Sequence, residues 1–207
     1  TIIGDAGKND TEIESIVLEK GFNREFPEAV ETEAQKLHGS GIPKDEIPKR
    51  RDMRGTVTFT IDPVDAKDFD DALSFSKLDN GHYEIGIHIA DVSYYVRDGM
   101  ALDQEAIARE TSVYLVDRCI PMLPEVLSND LCSLVQGEDR LVMSCILELD
   151  DEGTVYNEWY GRSLINSHRR YTYEDAQVTL DTKVGDFYNE LVTLNAIAKK
   201  LYKQRFD

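Results

Sequence analysis

Thr60-Ile61-Asp62-Pro63-Val64-Asp65-Ala66-Lys67-Asp68-Phe69-Asp70-Asp71-Ala72 is the stretch on which the fold turns. Upstream, Val57 and Phe59 alternate with Thr56, Thr58 and Thr60, the period-two pattern of a strand. Downstream, residues 72–78 again have strand character. Between them lie five aspartates in ten positions, 62 to 71. Charges this dense repel unless a cation is near, so the loop reads as a hard-metal site or as an acidic surface loop of turn-forming aspartates. A calcium EF-hand fails on spacing: counted from Asp68 the fifth residue is Ala72, and from Asp62 the third is Val64. Magnesium needs only one or two carboxylates and completes its shell with water and phosphate. Four carboxylates suit a pair of ions about 4 Å apart. In an extended chain Asp68 and Asp70 share a side while Asp71 points away, so the loop must bend for Asp62, Asp68, Asp70 and Asp71 to converge. Asp65 reads as a turn residue after Pro63.

Working outward, the turn signal Asp79-Asn80-Gly81 separates residues 72–78 from a further strand at 83–90. In that strand Tyr83, Ile85, Ile87 and Ile89 form an apolar face against His82, Glu84, Gly86 and His88. A second hairpin is expected over 141–149 and 153–165. Helices are expected at 9–21, 27–38, 100–110 and 184–206, with Gly21 and Gly39 as stops. The last has no stop signal before residue 207, which suggests a chain cut at an element's end. Residues 39–55 hold Gly, Pro and the basic cluster Lys49, Arg50, Arg51 and Arg54, and read as a linker. The fold class is α+β, with a mixed or antiparallel sheet and flanking helices.

Of the 207 residues, 41% are hydrophobic and 30% charged, enough apolar material to exclude a wholly disordered chain. No apolar run approaches the roughly 20 residues of a membrane span, and no signal peptide is visible. The net charge is −17, distributed as −3 over residues 1–54, −15 over 55–157 and +1 over 158–207. Taken alone this argues against nucleic acid, which needs a basic groove. It agrees with a cation held between carboxylates and a phosphate. Cys119, Cys132 and Cys145 are odd in number and form no C-x-x-C pair, and read as buried thiols in a reducing, cytoplasmic compartment.

Six blocks, in order, resemble the catalytic domain of the ribonuclease II / ribonuclease R exoribonucleases, the bacterial ribonuclease R branch most of all. They are Arg51-Asp52-Met53-Arg54, the aspartate segment, His88-Ile89-Ala90-Asp91-Val92-Ser93-x-Tyr95-Val96, Arg109-x-Thr111-Ser112-Val113-Tyr114-Leu115, Ile120-Pro121-Met122-Leu123-Pro124 and Leu131-Cys132-Ser133-Leu134. The resemblance implies that residues 55–207 are the N-terminal portion of such a domain, truncated at its C-terminus. Residues 1–54 would be the end of a preceding RNA-binding domain plus a helical connector. The implied activity is processive 3′→5′ hydrolysis of single-stranded RNA to nucleoside 5′-monophosphates. Asp62, Asp68, Asp70 and Asp71 would hold Mg2+ or Mn2+: Asp62 and Asp71 on one ion, Asp68 on a second that comes mainly with substrate, and Asp70 nearest the attacking water. Tyr114 would stack on the terminal nucleotide, although by itself it reads as a core aromatic of a strand.

Other residues divide between bland and functional readings. His88 reads as a satisfied strand histidine, Cys132 as core, and Asp91 as a brace for the metal loop. Tyr94 stands where many relatives carry His. Arg54 and its basic neighbours offer contacts to RNA phosphates or are simply a solvated linker. The family's later arginine-rich motif, its second stacking aromatic and a following basic barrel are not in this sequence, which accounts for the −17. The chain alone is therefore expected to bind RNA weakly and degrade it slowly or not at all, its partners being RNA and the other domains of a longer protein, with no membrane. A catalytically silent RNA- or protein-binding module of the same fold is the alternative, disfavoured by the intact set of four aspartates. A small-molecule phosphohydrolase is a third reading, disfavoured by the lack of a Gly-rich phosphate loop.

Overall fold

The computed structural model describes residue 4, residues 7–115 and residues 118–206. In chain order the elements are α1 (Asn9–Glu19), α2 (Glu28–Ser40), β1 (Arg51–Asp52), β2 (Val57–Asp62), β3 (Asp71–Lys77), β4 (Tyr83–Ala90), α3 (Val92–Tyr95), α4 (Ala101–Arg109), β5 (Val113–Tyr114), β6 (Cys119–Ile120), β7 (Asp139–Leu149), β8 (Val155–Asn166), β9 (Arg169–Thr172), α5 (Tyr173–Thr182) and α6 (Tyr188–Phe206). A 3-10 turn at Ile47–Lys49 and a π-turn at Leu127–Leu131 complete the list. None of the described helices is long and apolar enough to cross a membrane.

The chain forms two compact units that interleave in sequence, residues 1–39 with 96–128 and residues 40–95 with 129–207. In the first unit, Val17, Val30, Ala34 and Leu102 are buried. Arg109 organises its loops: the guanidinium donates to the Asn23 and Glu25 carbonyls at 2.8 Å each, lies 3.8 Å from the Phe26 ring centre and pairs with Glu105.

The second unit is built on a seven-stranded sheet of order β1-β8-β7-β4-β3-β2-β9. Neighbours are antiparallel except at the two outer pairs, β1 with β8 and β2 with β9. Helices α5 and α6 cover one face. Phe59, Tyr171, Ala176 and Leu191 form one core cluster there, and Phe75, Ile85, Leu149 and Ile197 another. Helix α5 and strand β9 lie outside the sequence expectation. The signal for α5 was present in Thr172, whose hydroxyl caps the helix by accepting from the Asp175 amide at 3.0 Å. The α6 helix starts later than expected, at Tyr188, and α2 runs one residue past Gly39.

Three expectations are corrected here. The apolar face of β4 does not stay inward: Ile87 and Ile89 are exposed, whereas Gly86, His88 and Ala90 are buried. The reason is a polar pocket on the opposite face. The His88 ring bonds Ser144 Oγ at 2.7 Å and Ser74 Oγ at 2.9 Å, and Gly86 makes room for it, since a Cβ there would lie 2.5 Å from His88 Nε2. Residues 39–55 are not a solvated linker either. Arg50 is sunk completely, paired with Glu46 at 2.8 Å and Asp91 at 2.7 Å. Arg51 pairs with Glu84 and lies over Trp159, and Lys49 pairs with Asp45. Of the thiols only Cys132 is buried; Cys119 is exposed, Cys145 half-buried, and none of the three is in a disulfide.

His88 makes a pH prediction. Burial, and then the charge of Arg51, push its pKa down to about 4 from 6.5. The folded state therefore binds no proton in the window where the unfolded chain does, and stability falls as pH drops from about 6.5 to about 4. The shift corresponds to a loss of up to about 3 kcal/mol at the acid end. Denaturant melts at pH 7 and pH 4.5 should show His88→Gln losing less stability between them than the parent; equal losses would refute the assignment.

Candidate active site

Asp62 ends β2, Asp71 opens β3, and the connecting chain bends sharply between them. A turn closes from the Ala66 amide to the Pro63 carbonyl at 3.1 Å and places Asp65 inside it as a turn former, as the sequence suggests. The loop is then pinned from distant parts of the chain. Arg170, from β9, donates to the Pro63 and Val64 carbonyls at 2.7 and 3.0 Å, and its guanidinium lies 5.3 Å from the Phe69 ring centre. Ser133 and Leu134 hold Lys67 and Phe69. The Ala90 amide donates to the Asp70 carbonyl at 2.9 Å, which ties the loop's far end to β4.

This bending brings Asp62, Asp68, Asp70 and Asp71 within electrostatic reach of one another. Asp62 is buried, and burial raises its pKa; Asp71 and Asp68 push the same way, while the Thr60 hydroxyl and Arg170 oppose them. Thr60 nevertheless falls short of hydrogen-bond geometry: its Oγ1 and Asp62 Oδ2 are both buried without a partner. Asp70 is likewise raised, by partial burial first and then by Asp68, Asp71 and Asp62. The residue as a whole is exposed, so screening moderates that shift. Asp68 is half-buried and Asp71 exposed.

An all-oxygen, like-charged donor set with one buried, unpartnered carboxylate oxygen fits a hard divalent cation. Among the described residues, no group of three or more His, Cys, Asp or Glu closes to a cage that would hold a metal by itself. Magnesium does not require one, since it keeps several waters and takes ligands from a phosphate.

The remaining candidates fall elsewhere. Tyr114 lies on β5 in the first compact unit and is 71% exposed, so it is not a core aromatic. The Arg54 guanidinium is partly exposed and pairs with Asp52 at 2.6 Å and Asp139 at 3.0 Å. Asp91 braces Arg50, not the aspartate loop: it accepts from Arg50 and from the Ser93 hydroxyl, both at 2.7 Å. The pKa of the Cys132 thiol is pushed up to about 12, by burial and then by Asp70 and Asp91, as befits an inert core thiol. Arg170 and Ser133 had not been singled out for a role. The sequence signals were the Arg169-Arg170 pair and the Leu131–Leu134 block, but neither reveals what it touches.

The family model described as the RNB domain matches residues 50–207, and the chain belongs to the RNB-domain family. It is 41% identical over 224 residues to the DIS3-like exonuclease 2 of Xenopus tropicalis, covering 99% of this chain and 27% of that protein. It is 47% identical over 175 residues to the ribonuclease R of Thermotoga maritima, covering 84% of this chain and 24% of that protein. Among solved structures it is similar to Mycoplasma genitalium RNase R in complex with ribose-methylated single-stranded RNA, with a TM-score of 0.89 and 29% identity over 98% of this chain and 32% of that one. Similarity extends to both bacterial and eukaryotic members, so the bacterial branch is not singled out. The chain spans roughly a quarter of the length of the curated relatives it matches.

Proposed function

We propose that the chain carries the divalent-ion end of an RNA-hydrolysing site, and that in the full-length protein it takes part in processive 3′→5′ hydrolysis of single-stranded RNA to nucleoside 5′-monophosphates. The observation that carries this reading is the buried Asp62 carboxylate oxygen that has no hydrogen-bond partner, in a loop where Asp68 and Asp71 repel both Asp62 and Asp70. A divalent ion, Mg2+ or Mn2+, would supply a more acidic bound water and would neutralise charge growing on the phosphate. Asp62 and Asp71 would hold one ion at the ends of their strands. Asp68 would meet a second that arrives with the substrate phosphate. Asp70, an exposed residue, would orient the attacking nucleophile. The exposed Tyr114 ring would stack on a terminal base, a contact worth about 1–3 kcal/mol and indifferent to sequence. Three cysteines outside any disulfide agree with a reducing, cytoplasmic setting.

The reading makes a binding prediction on this chain. A ligand that binds only the folded state at about 100 times its Kd stabilises by about 2.7 kcal/mol. Mn2+ should therefore raise the unfolding midpoint of the parent, and Asp62→Asn should abolish most of the rise. A midpoint indifferent to Mn2+ in both proteins would remove the metal from the account.

A further inference from the structure

We propose that Ser133 is a positioning residue for Asp68. The inference rests on the metal reading above and deepens it. The Ser133 hydroxyl donates to the Lys67 carbonyl at 2.8 Å and accepts from the Phe69 amide at 3.0 Å. These are the backbone groups on either side of Asp68, so one side chain closes a two-point clip around that residue. The Leu134 amide adds a third tie, to the Phe69 carbonyl at 2.8 Å.

The clip is itself held rigid. Ser133 is fully buried, and its amide donates to the Asp130 carbonyl at 2.9 Å. Arg140 donates from Nε to the Ser133 carbonyl at 2.8 Å and from its terminal nitrogen to Asp130 Oδ1 at 2.9 Å. A loop of like-charged residues tends to spread, and Asp68 has no place in a strand that would restrain it. Its backbone direction is set by a hydroxyl from a bend 64 to 66 residues further along the chain. A group that orients a ligand without touching the ion changes affinity by about 10–100-fold when removed.

The test uses Ser133→Ala, Ser133→Cys (similar shape, weak hydrogen bonding) and Asp68→Asn, each assayed as this chain for Mn2+ binding by calorimetry with saturating adenosine 5′-monophosphate present, to supply the phosphate with which the Asp68 ion arrives, and for hydrogen exchange at the Phe69 amide. Circular dichroism and cooperative unfolding check the fold. Kinetics on single-stranded RNA are measured in the full-length protein. Ser133→Ala and Ser133→Cys should weaken Mn2+ about 10-fold, speed exchange at Phe69 and lower kcat with KM for RNA unchanged. Combined with Asp68→Asn, either should add little further loss of Mn2+ affinity. Parent-like Mn2+ binding in both Ser133 variants, with Asp68→Asn weakened, would overturn the positioning role and leave the metal reading standing. Parent-like binding in all three would overturn both. Should Ser133→Ala fail to fold, Ser133→Cys with fast Phe69 exchange but parent-like Mn2+ affinity would still overturn the role.

Discussion

Asp70→Asn in the full-length protein is expected to slow RNA hydrolysis by about 10²–10⁴-fold, the range for a positioned group acting on a proton in the transition state. RNA affinity should be unchanged. The replacement is isosteric and removes one negative charge from a cluster whose members repel, so it gives the fold no reason to loosen. Binding measured at low and moderate salt separates the two effects, because phosphate contacts weaken with salt whereas the chemical step does not. Cleavage that persists within about fivefold of the parent would show that Asp70 is not the residue that orients the nucleophile.

Asp91→Ala should cost about 3–5 kcal/mol of stability, a large part of what holds a domain folded. The loss comes from what stays behind. Arg50 has no exposed side-chain surface, and Asp91 supplies one of its two carboxylate partners. Glu46 remains, but the other contacts of the guanidinium, to the Val142 and Ser163 carbonyls, are long at 3.4 and 3.5 Å. Burial raises the pKa of the Asp91 carboxyl, yet the Ser93 hydroxyl and Arg50 outweigh it and hold it below the usual carboxylate range. Replacing both partners by apolar residues, Arg50→Met with Asp91→Leu, should recover part of the loss, since no unpaired charge is then left inside. Denaturant unfolding decides the matter: a single variant that loses less than about 1 kcal/mol would mean the pair is not stabilising.

Local patterns were legible in the sequence and distant partnerships were not. Alternation along β2, β3 and β4, and the turn at Asp79-Asn80-Gly81, placed the strands on which the site is built. The aspartates, too, were visible as a loop that had to bend. The reversal of β4 was hidden because hydrophobic patterning takes histidine and glycine for the outer face, and only the Ser74 and Ser144 hydroxyls of neighbouring strands make an inward His88 favourable. Arg50 was hidden for the same reason: a basic run reads as solvated until its carboxylates are found 4 and 41 residues away. Arg170 and Ser133 complete the pattern, reaching back across 107 and 66 residues to backbone carbonyls that carry no side-chain signature.

The order in which these anchors leave the ribosome has its own consequence. The aspartates emerge first, whereas the hydroxyl at 133 and the guanidinium at 170 follow much later. Strand β2 also waits for its parallel neighbour β9. Contacts of such long sequence separation carry a loop-closure cost that slows folding. The acidic residues are thus synthesised well before the side chains that shape their loop, and the arrangement seen in the fold is complete only once translation has passed the last anchor.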